Sequence, residues 1–138
     1  ITSSAASDVY KRQDYIHSLD SEKLASKIAD EQIKKGFKPK IFIQINIGEE
    51  PQKGGIDVNQ LEEFYKKCLD KYNLNIIGLM CIPPFDKKSE PFFEKMQNLS
   101  KALNLNEISM GMSDDYLEAI KFSSTYIRIG SKIFGKRN

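Results

Sequence analysis

Two segments near the end of the chain combine apolar runs with small residues in a way that suits anion binding. They are residues 108–115 (ISMGMSDD) and residues 128–135 (RIGSKIFG). Each is typical of a short strand that ends in glycine or serine and then turns toward a helix. Small residues at such an end let backbone N–H groups approach an anion, and a following helix N-terminus adds partial positive charge. The two segments therefore predict a site for a phosphate group.

The elements that must position these segments alternate regularly between strand and helix. Hydrophobic spacing predicts five strands, at residues 15–19, 41–47, 76–82, around 108 and at 126–129. It predicts four helices between them: one capped by Asp20 and ended by Gly36, and others over residues 61–72, 92–103 and about 114–122. Such alternation implies parallel strands joined by right-handed crossovers. The chain has neither a GxGxxG turn nor a Walker sequence.

Two successive small-residue strand ends that close a strand–helix repeat match the phosphate site of a (β/α)8 barrel. The predicted fold class is therefore α/β, of the (β/α)8 TIM-barrel type. A complete barrel takes roughly 250 residues, whereas this chain has 138. We expect a truncated half that covers about the fourth to the eighth strands.

The beginning of the chain differs from the rest in composition. Residues 3–13 (SSAASDVYKRQ) are small and polar and lack helical or strand periodicity. They resemble one translated frame of a transposase adapter used in DNA library preparation, and an ordinary disordered tail is the alternative. The expected division is a non-native tail over residues 1–13 and the C-terminal half of a barrel over residues 14–138.

Composition limits the kinds of partner and the cellular compartment that we expect for this protein. The 21 basic and 19 acidic residues give a net charge of +2, and the basic residues are dispersed, so no nucleic-acid partner is expected. Cys68 on an apolar helix face and Cys81 in a strand predict buried thiols in a reducing compartment. No apolar run has the length of a membrane span. The sequence therefore predicts a cytoplasmic protein without a membrane partner.

The residues that carry acid–base or metal chemistry in other proteins are scarce in this chain. His17 is the single histidine, so neither a metal site nor a histidine-based triad is expected. Asp114 and Asp115 could be paired carboxylates, but their position at a predicted helix start favours an N-cap and a favourable partner for the helix dipole. No catalytic residue is predicted.

Five segments together carry a resemblance to a known family. They are residues 44–46 (QIN), 50–55 (ExxKxG), 78–83 (GLMCIP) and the two segments described first. In this order they resemble the pyridoxal phosphate homeostasis protein family, which shares its barrel with the N-terminal domain of alanine racemase. The similarity runs over residues 15–137. Three positions depart from it, since the family often has alanine at Cys81 and serine at Gly54, and threonine is also found at Ser131.

The resemblance implies that the ligand is pyridoxal 5′-phosphate (PLP). It implies that Arg128 hydrogen-bonds the pyridine nitrogen, and a permanently charged arginine disfavours a protonated ring. The ring is then a weaker electron sink, which suits holding the cofactor more than difficult carbanion chemistry. Gly130, Ser131 and Ser113 are expected to bind the phosphate through N–H and hydroxyl groups.

Two further residues are weaker candidates for ligand contacts, and the lysine that binds the cofactor is expected outside this chain. Ser109 is either a ligand or an interior packing residue, and Asn46 is either a ligand or a loop cap. The family's Schiff-base lysine resides at the end of the first barrel strand, a position that neither Lys53 nor Lys132 occupies. We therefore expect that lysine in the missing N-terminal half.

The function implied by the resemblance is that of a PLP carrier and buffer in cofactor homeostasis, without established turnover. Its expected partners are PLP and the PLP-dependent apoenzymes that receive it. The alternative is a fold-type III PLP-dependent enzyme such as an amino-acid racemase. Racemases of that class need a second acid–base group, usually a tyrosine from a β domain after the barrel. Because the chain stops shortly after Phe134, the carrier is the preferred prediction.

Overall fold

The computed structural model describes residues 15–51, 54–112 and 114–128, in which strands and helices alternate. Five strands lie in these ranges: β1 (Tyr15–Leu19), β2 (Lys40–Gln44), β3 (Asn75–Met80), β4 (Glu107–Met112) and β5 (Tyr126–Arg128). They also contain four α-helices, α1 (Glu22–Lys35), α2 (Leu61–Asp70), α3 (Glu90–Ala102) and α4 (Tyr116–Lys121), and a 3-10 turn at Val58–Gln60. The proposed tail, residues 1–13, lies outside the described residues, and its origin stays a prediction.

The five strands form one parallel sheet in the order β1-β2-β3-β4-β5. Each strand pairs with its neighbour in sequence, and an α-helix lies in the chain between successive strands. This is the stepwise parallel arrangement that the alternation predicted, and the described part of the chain is an α/β half-barrel.

Side-chain alternation along the strands separates two faces of the sheet. Ile41 and Ile43 of β2 belong to a core cluster that also contains Ile28 of α1 and Phe93 of α3. Phe42, the residue between them, is also fully buried, but it contacts His17 and Tyr126. The sheet therefore has a helix-covered outer face and an inner face with its own side-chain layer.

The first helix begins one residue later than its sequence predicted. Ser21, not Asp20, is the N-cap, because its Oγ accepts a hydrogen bond from the N–H of Leu24 at 3.1 Å. The carboxylate of Asp20 instead accepts the N–H of Gly55 at 3.3 Å, which holds the loop after β2. The predicted end is confirmed: Gly36 is the C-cap, with a φ of 68° that favours glycine.

Glu22 links the first turn of α1 to the end of α2. Its carboxylate accepts hydrogen bonds from Tyr72 Oη at 2.6 Å, Lys71 Nζ at 3.0 Å and Lys67 Nζ at 3.2 Å. These donors, Tyr72 foremost, lower the pKa of Glu22 to about 2. The carboxylate also lies at a helix N-terminus, where negative charge is favourable.

We expect the Glu22 contacts to make stability depend on acid. Because the pKa is about 2 in the folded state and 4.5 ordinarily, the contribution is complete above pH 4.5 and is lost as the pH falls toward 2. In any form of the protein that unfolds cooperatively, Glu22→Gln should flatten the slope of the unfolding free energy against pH over this window. Glu62→Gln is the matched control, since Glu62 makes an exposed pair with Lys66. An unchanged slope in Glu22→Gln would contradict this assignment.

Candidate functional site

The carboxyl ends of β4 and β5 lie side by side. Ser109 is in register with Tyr126, and Met112 is in register with Arg128. Parallel strands leave a sheet at the same edge, so the chain after Met112 and the chain after Arg128 depart from neighbouring positions. The structure confirms that residues 108–112 of the first segment lie in a strand, β4. Of the second segment only Arg128, the last residue of β5, is described, so the turn that follows it stays a prediction.

Three of the predicted phosphate ligands, Ser113, Gly130 and Ser131, lie outside the described residues. Arg128 is described as the last residue of β5, and its backbone position is what the structure contributes. The ligand roles of all four residues therefore stay predictions. They are supported by the pairing of the ends of β4 and β5, because Arg128 ends β5 and the other three residues follow one of these two strands in the sequence.

A glycine allows α4 to pack directly on the end of β4. Gly111 has a φ of +100°, and a Cβ at this position would lie 2.6 Å from the Cβ of Ala119. The strand pairing shifts register between Ser109 and Met112, as at a β-bulge, a feature found often beside functional sites. Gly111 therefore sets the direction in which the chain leaves β4.

The carboxylate of Asp115 holds the turn between β4 and α4. Asp115 occupies the N-cap position of α4, as predicted, and its carbonyl accepts the N–H of Ala119 at 3.0 Å. Its side chain does not cap the helix, however. Oδ1 accepts the N–H of Met112 at 2.7 Å, and Oδ2 accepts the hydroxyl of Ser89 at 2.7 Å. Asp114 is exposed.

An inner aromatic layer, formed by Tyr15, His17, Phe42 and Tyr126, lies on the inner face of the sheet. The ring centroids of His17 and Phe42 are 4.4 Å apart, and those of Phe42 and Tyr126 are 5.1 Å apart. A hydrogen bond with Tyr15, and then burial, raises the pKa of Tyr126 to about 12. Tyr126 is therefore protonated at neutral pH and is not a base there.

Ser109 of β4 also lies on this inner face, three residues before the end of the strand. It is 1% exposed, and its Oγ is 2.8 Å from Nδ1 of His17. The structure therefore favours the interior role that the sequence left open, and a ligand contact by Ser109 stays a prediction. Sequence reasoning gave His17 no role. The spacing of Tyr15 and His17, two residues apart in a strand, was the available signal that both share one face.

Asn46 caps the loop that follows β2. Its Nδ2 donates to the carbonyl of Glu50 at 2.7 Å, and its Oδ1 accepts the N–H of Glu50 at 3.1 Å. This is the loop-capping arrangement that the sequence left open, and a ligand role for Asn46 stays a prediction. The loop borders an open cleft of about 490 Å³ that is also lined by Glu49 and Asp57. Carboxylates there disfavour a phosphate.

Both cysteines are buried free thiols, as predicted. Burial raises the pKa of Cys68 to about 12 and also raises the pKa of Cys81. Neither thiol therefore has the thiolate character of a nucleophile at neutral pH. Across the described ranges, no group of three or more His, Cys, Asp or Glu side chains could hold a metal ion. Within the same ranges, the helices are too short or too polar to cross a membrane.

Comparison with known proteins shows the class to which this half-barrel belongs. The sequence profile of the alanine racemase N-terminal domain family matches residues 1–138. The pyridoxal phosphate homeostasis protein of Aquifex aeolicus is 37% identical over 131 residues, which cover 88% of this chain and 58% of the relative. The pyridoxal phosphate homeostasis protein of Corynebacterium glutamicum is 30% identical over an alignment of 149 positions, which covers 99% of this chain and 67% of the relative.

A solved structure agrees with the sequence relatives. PipY of Synechococcus elongatus with PLP bound superposes with a TM-score of 0.83 at 28% identity, over 98% of this chain and 67% of that chain. The chain therefore belongs to the alanine racemase N-terminal domain family and, within it, to the pyridoxal phosphate homeostasis proteins. It spans 58% of the length of the Aquifex relative.

Proposed function

We propose that this chain is the C-terminal part of a longer PLP-binding barrel that acts in cofactor homeostasis. The observation that carries the proposal is the pairing of Met112 with Arg128. This pairing brings the carboxyl ends of β4 and β5 together, and in the sequence the small residues predicted to bind a phosphate come directly after these two positions. The names of the relatives and the PLP-bound PipY structure support the choice of PLP. The upstream barrel strands, about the first to the third, belong to the part that precedes this chain. We call that longer form the completed protein.

The residues present fit PLP in their chemistry. Gly130 and Ser131 after β5, with Ser113 after β4, supply backbone N–H groups and hydroxyls suited to a phosphate. Arg128 supplies a permanently charged donor for the pyridine nitrogen. When bound, PLP supplies an aldehyde that reacts with amines and a conjugated ring that accepts electrons. We place the lysine that reacts with the aldehyde in the upstream part of the completed protein.

The inner aromatic layer suits a protein that binds a cofactor better than an enzyme that converts substrates. It places packed aromatic rings on the inner face of the sheet. Tyr126 retains its proton at neutral pH because its pKa is about 12. A racemase needs a second acid–base group, and this proposal assigns that role to no residue in the described part of the chain. The proposal is therefore a carrier and buffer without turnover, which passes PLP to apoenzymes in the cytoplasm.

The experiment that tests the function separates a carrier from an enzyme. The completed protein, loaded with PLP, should retain it through gel filtration and activate an added PLP-dependent apoenzyme. It should not racemise L-alanine, as followed by circular dichroism. A buffer containing the same total PLP without protein is the control for transfer. Racemisation of L-alanine would favour the fold-type III enzyme, and loss of PLP during gel filtration would contradict the carrier.

A further inference from the structure

The inner face of the sheet brings together strands that do not pair with each other. Two strands separate β1 from β4 in the sheet, yet Nδ1 of His17 lies 2.8 Å from Oγ of Ser109. β1 and β5 are the first and last strands in the order, yet the ring centroids of Tyr15 and Tyr126 are 5.4 Å apart. These contacts cross the concave side of the half-barrel. They therefore tie its first strand to its last two.

The hydrogen bond between His17 and Ser109 has a defined direction. Ser109 is 1% exposed, so its hydroxyl is shielded from water. Within the described part of the chain, the acceptor offered to this hydroxyl is Nδ1 of His17. A buried O–H that lacks an acceptor is costly, so the hydroxyl of Ser109 donates to Nδ1. The proton of the neutral imidazole then lies on Nε2.

Protonation of His17 would reverse this hydrogen bond. An imidazolium carries a proton on both nitrogens and can only donate, so Ser109 would have to accept, and its own proton would lose its acceptor. The charge would also enter a half-buried position, where desolvation disfavours it. The ring of Phe42, whose centroid is 4.4 Å from that of His17, attracts a cation and offsets part of this cost.

Charged and titratable groups on the neighbouring strands act in both directions. On β2, Lys40 Nζ lies 5.3 Å from the ring centroid of Tyr15 and disfavours a second positive charge. On β4, the charge of Glu107 reaches Tyr126 of β5 and favours one. Strand β3 has no titratable side chain. Because the two charges oppose each other, the hydrogen bond of the Ser109 hydroxyl decides the difference.

We propose that the contact between His17 and Ser109 is an acid-sensitive tie across the inside of the barrel, which holds β1 against β4 while His17 is neutral and weakens when His17 is protonated. Histidine is the side chain whose ordinary change of charge falls between about pH 5 and 8. Because the unfolded chain takes up this proton more readily than the packed layer, stability rises with pH over that range and falls as His17 is protonated. The tie concerns the packing of the layer and does not depend on the proposed function.

The test compares melting temperatures at about pH 8 and about pH 5 for the completed protein and its variants. This range excludes Glu22, whose pKa is about 2. His17→Asn keeps an oxygen that accepts from Ser109 and cannot be protonated. The melting temperature of the unsubstituted protein should therefore fall by roughly 2–8 °C more than that of His17→Asn, as for one unpaired buried hydroxyl.

Two serine variants make the result specific. Ser109→Ala removes the hydroxyl, so its melting temperature should fall less between the two pH values than that of the unsubstituted protein. Ser100→Ala is the matched control, because Ser100 is 2% exposed and lies on α3, away from the inner face. Its melting temperature should fall as much as that of the unsubstituted protein.

Nitrogen chemical shifts test the direction of the hydrogen bond. The signal of His17 is the histidine signal that His17→Asn lacks, and at about pH 8 it should show Nδ1 without a proton. A proton on Nδ1 at that pH would overturn the inference. So would equal falls in melting temperature for the unsubstituted protein, His17→Asn and Ser109→Ala. If His17→Asn does not fold, the comparison of Ser109→Ala with Ser100→Ala decides the question. These measurements require no PLP, so a failure of the proposed function is a distinct result.

Discussion

Replacing Arg128 by alanine in the completed protein is expected to weaken PLP binding and to shift the visible absorption band of the bound cofactor. Arg128 ends β5 next to Met112, and the family resemblance gives it the pyridine nitrogen as its partner. Loss of a permanently charged donor should cost roughly 10-fold to 100-fold in affinity. The band should move because the electronic state of the ring depends on what its nitrogen bonds. Absorption spectra recorded during a PLP titration give both quantities.

Two variants make the Arg128 result specific. Arg128→Lys keeps the charge but loses the planar donor group, so it should restore the affinity only in part. Lys121→Ala removes a positive charge from the exposed end of α4, where Lys121 pairs with Glu118, and should leave the band unchanged. An Arg128→Ala protein with the original band and affinity would remove Arg128 from the site.

The second large effect concerns folding of the half-barrel alone. We expect residues 14–138, expressed without the upstream part, to aggregate or to form a loosely packed state. Within the described residues, β1 and β5 each pair on one side only, and the inner aromatic layer has no facing strands from the rest of a barrel. Open edges and an uncovered inner face favour association. Thermal melts with light scattering, compared with the completed protein, measure this.

A monomeric sample of residues 14–138 that melts in one sharp, cooperative transition would contradict this expectation. Such a result would mean that the helix-covered core around Ile41, Ile43 and Phe93 is sufficient to hold the sheet without its remaining strands. It would leave the ligand proposal standing, because that depends on the edge formed by β4 and β5.

The order of strands and helices could be predicted because it depends on local patterns. Burial is visible in the sequence as the apolar run that contains β3 and as the amphipathic spacing of α2. Gly36 predicts a helix end because glycine readily adopts the left-handed backbone conformation found there. The N-cap of α1 was misplaced by one residue because Asp20 and Ser21 are both good caps. Tertiary contact decided between them, since Asp20 bonds Gly55 instead.

The candidate site was less accessible to sequence reasoning. The small residues that follow β4 and β5 in the sequence predicted a phosphate ligand. The adjacency of the two strand ends depends on parallel register, which the sequence does not specify. The hydrogen bond from Ser89 to Asp115 joins residues 26 positions apart, and no local pattern reports it. The contact between His17 and Ser109 spans 92 positions and depends on the curvature of the whole sheet.

The measurement that tests the central claim most directly is a crystal structure of the completed protein with PLP bound. We predict that the phosphate lies at the edge where β4 and β5 end, bonded by Ser113, Gly130 and Ser131, with Arg128 at the ring nitrogen and a lysine from the upstream part bonded to the cofactor. PLP bound at the acidic cleft beside Asn46, or joined to a lysine of this chain, would contradict the account.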